Sequence, residues 1–223
     1  MGVKERQERE RETVARAILD AARDLFVTHG YQEVSIRKIA EKIEYSPAAI
    51  YSYFPSKDDI FFALAEEGFR LLFSYAEVPD FASSDPADRL RRQFWRYYEF
   101  SKTHPEYFAL MFLDRTVPRI TENWERFGLV SEKKHDMIAG IQQTIDAGAF
   151  PKGTSAHAVF HIILAAIHGV ASMRLCDRMA PSEDADALAR ATLVAVITGL
   201  KAGAARSVDL PECSDSFNED VQS

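Results

Sequence analysis

Apolar residues in this chain recur at steps of three and four nearly throughout, and no stretch alternates apolar and polar residues long enough to line a sheet. That period predicts an all-α protein whose helices hide apolar stripes against one another. Val14, Ala17, Ile18, Ala21, Ala22, Leu25 and Phe26 form the first stripe and Gly30 follows as a C-terminal cap, predicting a helix over roughly residues 10–29.

Two short helices come next. Ser35 is placed to cap one whose inward residues are Ile36, Ile39, Ala40 and Ile43. After Glu44-Tyr45, Ser46 caps another, with Pro47 at the first helical position, where a missing N–H costs nothing, and Pro55 ends it. Ser56-Lys57-Asp58-Asp59 reads as the start of a fourth helix, with Ile60, Leu64, Leu71 and Leu72 inward and Lys57 free to reach a phosphate. Two short helices joined by a tight turn match the helix-turn-helix plan, in which the second helix enters the major groove.

The run Ser35-Ile-Arg-Lys-Ile-Ala-Glu-Lys-Ile-Glu-Tyr-Ser-Pro-Ala-Ala-Ile-Tyr-Ser-Tyr-Phe-Pro-Ser-Lys57 resembles the DNA-binding signature of the tetracycline-repressor (TetR) family, over residues 10–60. The resemblance implies that Tyr51 and Lys57 contact phosphates and that Arg37 reaches a base edge or phosphate. It implies too that Ser46, Pro47, Ala48, Ala49, Ser52 and Tyr53 line the recognition helix. Ala and Pro there can offer only apolar contacts, such as to a thymine methyl, so the residues do not spell an operator. By residue type alone Phe54 reads as core, Tyr53 as either core or DNA surface, and Arg37 and Lys57 as ordinary solvated charges. The family's turn usually carries Gly and a hydrophobic residue where this chain has Glu44 and Tyr45. A positive φ at Glu44 would cost of the order of 1 kcal/mol, and Tyr45 can pack inward.

Beyond the polar break from Val78 to Asp88, aromatic residues and Met crowd around His104-Pro105. Large, adaptable side chains with polar tips build a core and also line a cavity for a mostly apolar ligand. The expected effector contacts are Trp95, Tyr98, Phe108, Phe112, Met137, His161, His168 and Met173. Thr103–Phe112 and Ile167–Ser172 are similar to the effector domain of a TetR subgroup in which a Trp-His-Gly run is common, with Ile167 here in place of the Trp. His157, His161 and His168 share one helical stripe. His157 and His161 are spaced to share a metal, whereas His168 lies about 10 Å further along the axis; a polar contact in the effector pocket and ordinary packing are the other readings, and no metal site is assigned.

Helices are expected over about 123–147, 155–179 and 185–206. Small residues along the last two permit close helix approach, and apolar residues on more than one face suggest burial against a second subunit. In the family these are the dimerisation helices. The expected division is a DNA-binding domain over 1–56, a ligand-binding and dimerisation domain over 57–206 and an acidic, disordered tail over 207–223.

Composition narrows the remaining classes. Net charge is −7, yet residues 1–57 carry ten Lys/Arg and nine Asp/Glu, so the basic bias is local and weak. Cys176 and Cys213 lie far apart and suggest no disulfide scaffold or zinc finger. The charged N-terminus lacks a signal-peptide core, and the apolar stretch Ala156–Met173 reads as a buried helix, so a cytoplasmic protein is expected, with no membrane partner. No G-x-S-x-G, H-E-x-x-H, P-loop or G-x-G-x-x-G occurs, so neither enzyme nor cofactor is expected. The resulting expectation is a homodimeric repressor that binds a palindromic operator on double-stranded DNA and is released by a small, mostly apolar effector. The rival is a DNA-bound structural protein with no effector.

Overall fold

A computed structural model describes residues 2–76 and 85–205. Its elements are α1 (Val3–His29), α2 (Ile36–Lys42), α3 (Pro47–Tyr51), α4 (Lys57–Ala76), α5 (Pro86–Thr103), α6 (Pro105–Phe108), α7 (Gly128–Asp146), α8 (Ala156–Leu175) and α9 (Ala185–Lys201). A π-helical turn, Ala109–Leu113, continues α6, and a 3₁₀ segment, Ile120–Phe127, precedes α7. No strand occurs among the described residues. The expected tail over 207–223 lies outside them.

The chain falls into two compact units: α1–α4 with Phe100–Gly128, and the earlier part of α5, up to Glu99, with the chain from Leu129. This partition follows a different line from the expected division at residue 56, because α4 cannot bury its aromatic face without Phe100–Gly128. Phe69 meets Phe112 and Phe127 at centroid distances of 6.0 and 5.7 Å, and Phe62 meets Phe127 at 6.1 Å. The buried residues of α4 are Ile60, Phe61, Phe62, Leu64, Ala65, Gly68 and Phe69; Leu71 and Leu72 are only half-buried. In the same unit Ile18, Ala22, Ile39, Ala40, Ile50, Ile60 and Leu64 are fully enclosed. Each large aliphatic side chain among them contributes about 1.5–3 kcal/mol by leaving water.

In the second unit α8 and α9 pack along each other, and Ile163, Ile167, Ala171, Leu193 and Leu200 form the centre. By length and composition α8 could cross a membrane, but eight of its residues are buried within this fold.

Three helix ends differ from expectation. α1 starts at Val3, where Glu5 Oε2 accepts the Gly2 N–H at 3.1 Å and Arg6 pairs with Glu10 at 2.9 Å. Those local contacts extend a helix into residues that have no apolar stripe to reveal it. The 123–147 helix begins instead at Gly128, because Asn123 leaves helical geometry at φ −124 and ψ 30. α8 stops at Leu175, two residues before Asp177 turns to φ 51.

Candidate functional site

Capping residues and one buried anchor shape the α2–α3 unit. Ser35 Oγ accepts the Lys38 N–H at 3.3 Å, and Ser46 Oγ accepts the Ala49 N–H at 3.1 Å. Between the helices the Tyr45 N–H donates to Ala40 O at 2.9 Å, closing a Schellman turn whose left-handed residue is Glu44, at φ 59. The strained residue anticipated at this turn is therefore present. Ile39, Ala40 and Ile50 fill the inner side, which leaves Tyr45 45% exposed and corrects the expectation that it packs inward. Phe54, read as core, is half-buried.

With Ile50 as its buried anchor, α3 presents Ser46, Pro47, Ala48, Tyr51 and Ser52 to solvent, while Ala49 and Tyr53 are half-buried. Tyr51 is 54% exposed. Arg37 stands out from α2 with its side chain 80% exposed and its Nε 2.8 Å from Glu41. A solvated i,i+4 pair of this kind contributes only a few tenths of a kcal/mol, so the guanidinium can exchange partners at small cost.

Lys57 is placed differently from the free side chain expected. Its Nζ donates to Tyr31 O at 2.9 Å and Val34 O at 3.0 Å, and lies 4.0 Å from the centre of the Tyr31 ring. Burial lowers its pKa. An ammonium has three protons, so with two committed one remains for an outside acceptor. Tyr31 donates its hydroxyl to Asp58. Lys57 thus ties the turn between α1 and α2 to the start of α4, whatever else it touches.

Arg11 was not anticipated. Its Nη2 donates to Ser52 O at 3.4 Å and its guanidinium lies 5.4 Å from the Tyr53 ring centre, at the C-terminal end of α3. Arg11 stands in a charged run that has no apolar stripe to mark which face turns to α3.

The eight expected effector contacts do not gather within one unit. Phe108 and Phe112 belong to the first, where Phe108 is fully buried and the two rings lie 5.0 Å apart. Trp95, Tyr98, Met137, His161, His168 and Met173 belong to the second. Trp95 lies tilted against Tyr98 at 5.2 Å, under the Arg190 guanidinium at 4.9 Å, and the fully buried Tyr98 donates to Asp186 at 2.9 Å. Met137 is half-buried, and Met173 is 43% exposed.

His168 Nδ1 and the Tyr97 hydroxyl share a hydrogen bond of 2.8 Å; burial lowers the pKa of the imidazole and raises that of the phenol. His161 Nδ1 lies 2.8 Å from its own helix carbonyl at His157. Among the described residues no group of three or more His, Cys, Asp or Glu is placed to hold a metal ion. A cleft of about 300 Å³ lies between α5 and α7, walled by Pro86, Leu90, Ile141 and Ala147, with Arg89, Gln93, Gln143 and Thr144 as its polar groups. None of the eight expected residues lines it.

Residues 18–64 match the family described as bacterial regulatory proteins, tetR family, and residues 90–196 match the tetracyclin repressor-like C-terminal domain. An HTH-type transcriptional repressor of Mycobacterium tuberculosis is 44% identical over 52 residues, 23% of this chain; the match spans only 28% of that relative's length. The TetR family transcriptional regulator PfmR of Thermus thermophilus has a similar fold at a TM-score of 0.60 and 22% identity, over 82% of this chain and 98% of that one. The regulator FadR of Bacillus subtilis, solved in complex with stearoyl-CoA, does so at 0.67 and 17%, over 82% and 98%.

Proposed function

Because this chain belongs to the tetR family of bacterial regulatory proteins, we propose that it is a homodimeric transcriptional repressor that places α3 of each subunit in successive major grooves of a palindromic operator. The observation that carries the reading is the face of α3: one residue, Ile50, anchors it, and the small residues Ser46, Pro47 and Ala48 stand exposed where a backbone must approach base edges. Tyr51 and Arg37 flank that face as candidate phosphate or base contacts, and Ala49, Ser52 and Tyr53 complete it. The remaining proton of Lys57 gives it at most one phosphate contact.

Dimerisation is assigned to α8 and α9. Met173, Leu188 and Val194 are large apolar side chains exposed on these helices, as a subunit contact requires. The effector is read as small and mostly apolar, held in the helical domain that follows the DNA-binding region. FadR's complex with stearoyl-CoA supports a ligand that carries an apolar chain, and the α5–α7 cleft is the candidate place for such a chain. The protein is placed in the cytoplasm, with no catalytic activity and no membrane partner. Effector and DNA act in opposition through different affinities for two conformations, so each weakens the other by the same factor.

A second reading, a DNA-bound structural protein with no effector, draws on the complete burial of Tyr98 and Phe108, two residues expected to line a pocket. Selection of bound sequences from a random duplex library by the purified protein tests the first reading. Enriched sites with dyad symmetry at fixed spacing support it, and no enrichment at low salt overturns it. Release of the enriched duplex by stearoyl-CoA separates it from the second.

A further inference from the structure

The N-terminal extension of α1 has no apolar stripe and residues 4–13 are exposed, yet it is helical from Val3. At about 100° per residue, Lys4 and Arg11 lie about 20° apart on the helix and Gln7 within about 60° of Lys4, so the three share one face. Arg11 shows where that face looks: towards Ser52 O and the Tyr53 ring, at the C-terminal end of the exposed α3. Lys4 stands two turns earlier, about 10 Å further along the axis.

The acidic residues of this stretch are largely engaged elsewhere or turned aside. Glu5 takes the Gly2 N–H, Glu10 pairs with Arg6 on another face, and Glu12 lies about 80° round from Lys4. Glu8, about 40° from Lys4 and about 60° from Arg11, stands on the same face. Lys4 and Gln7 have no ion-pair or hydrogen-bond partner among the described residues. The face therefore carries two cations, an amide and one carboxylate, and at Arg11 it adjoins the C-terminal end of α3.

We infer that the Lys4–Gln7–Arg11 face of α1 is a second DNA-contacting surface, which rides on the phosphodiester backbone beside the half-site and extends each subunit's footprint outward. It rests on the reading of α3 as the recognition helix. Its occupant is duplex DNA, met along the phosphodiester backbone, where Lys and Arg neutralise phosphates whatever the sequence. The axial distance from Arg11 to Lys4 corresponds to no more than about three base pairs of extra contact.

The test compares wild type, Lys4→Ala and Arg6→Ala on a mixed-sequence duplex of about 30 base pairs, following log K against log salt concentration. Lys4→Ala is expected to lower the slope by about 1 for each subunit bound, and Arg6→Ala, on the other face, to leave it unchanged. Circular dichroism keeps helix loss apart from contact loss, and Ala favours the helix. On the selected operator, trimming about three flanking base pairs from each side is expected to cost wild type what Lys4→Ala costs, and to cost the variant nothing more. Equal slopes for wild type and Lys4→Ala overturn the inference and leave the recognition helix standing. No binding by wild type on any duplex overturns the functional reading, and this surface with it.

Discussion

Gly68 of α4 lies so close to Met111 that a Cβ added there would overlap the methionine sulfur and stand 3.0 Å from Tyr107 Cδ1. Helix α4 and the π turn after α6 therefore touch nearly backbone to side chain. Gly68→Ala is expected to destabilise by about 1–3 kcal/mol through overpacking, read as a lower urea midpoint. In a Met111→Ala background the same substitution should cost much less. An equal cost in both backgrounds would put the clash on Tyr107 instead.

The positive φ of Glu44 makes the turn between α2 and α3 a place where a side chain costs stability. Glu44→Gly is expected to raise stability by up to about 1 kcal/mol with DNA affinity unchanged, because glycine accepts the left-handed region without a Cβ clash. Denaturant unfolding checks the first half and titration with the selected duplex the second. A drop in stability would mean that the Glu44 side chain contributes more than its backbone strain removes.

Lys57→Met keeps the length of the side chain and deletes two hydrogen bonds to the Tyr31 and Val34 carbonyls. The expected loss is about 1–2 kcal/mol, since charge-assisted hydrogen bonds at a half-buried site fall short of their fully buried value. Thermal unfolding without DNA reads it directly. An unchanged Tm would return Lys57 to the role of a solvated phosphate contact.

The Asp59 carboxyl is held below its usual pKa by the Ser56 hydroxyl and, less strongly, by Arg126 at 3.0 Å. A depressed carboxylate contributes stability that is present above its unfolded pKa, near 3.9, and is lost as pH falls through the lower folded value. The wild-type Tm should thus fall more steeply below about pH 4 than that of Asp59→Asn. Parallel Tm curves for the two proteins would contradict the assignment.

Tyr51 is exposed, and its hydroxyl makes no hydrogen bond among the described residues. Tyr51→Phe should leave the unfolding midpoint in place and weaken binding on the order of tenfold, uniformly across operator sequences, as loss of a phosphate contact does. Competition titrations with operator and unrelated duplexes check both parts. A change in sequence preference would instead make Tyr51 a base reader.

Where physics is local, the amino-acid sequence was enough. Ser35, Ser46 and Pro47 start α2 and α3 where their hydrogen-bonding and ring geometry put a helix start, Gly30 ends α1, and the spacing of Ile36, Ile39 and Ala40 chose the face of α2 that turns inward, although Ile43, expected there too, is only half-buried. Even the strain at Glu44 was legible, because only one backbone region closes a Schellman turn. What depends on a partner far along the chain was not. Lys57 looked free until the fold brought the Tyr31 and Val34 carbonyls to its ammonium. Tyr45 was pushed outward once Ile39 and Ile50 filled the space, and the eight candidate effector residues were divided between two units by how α5 runs through both. The period of a sequence reports which side of a helix is buried, but which residues meet there is decided by packing between elements.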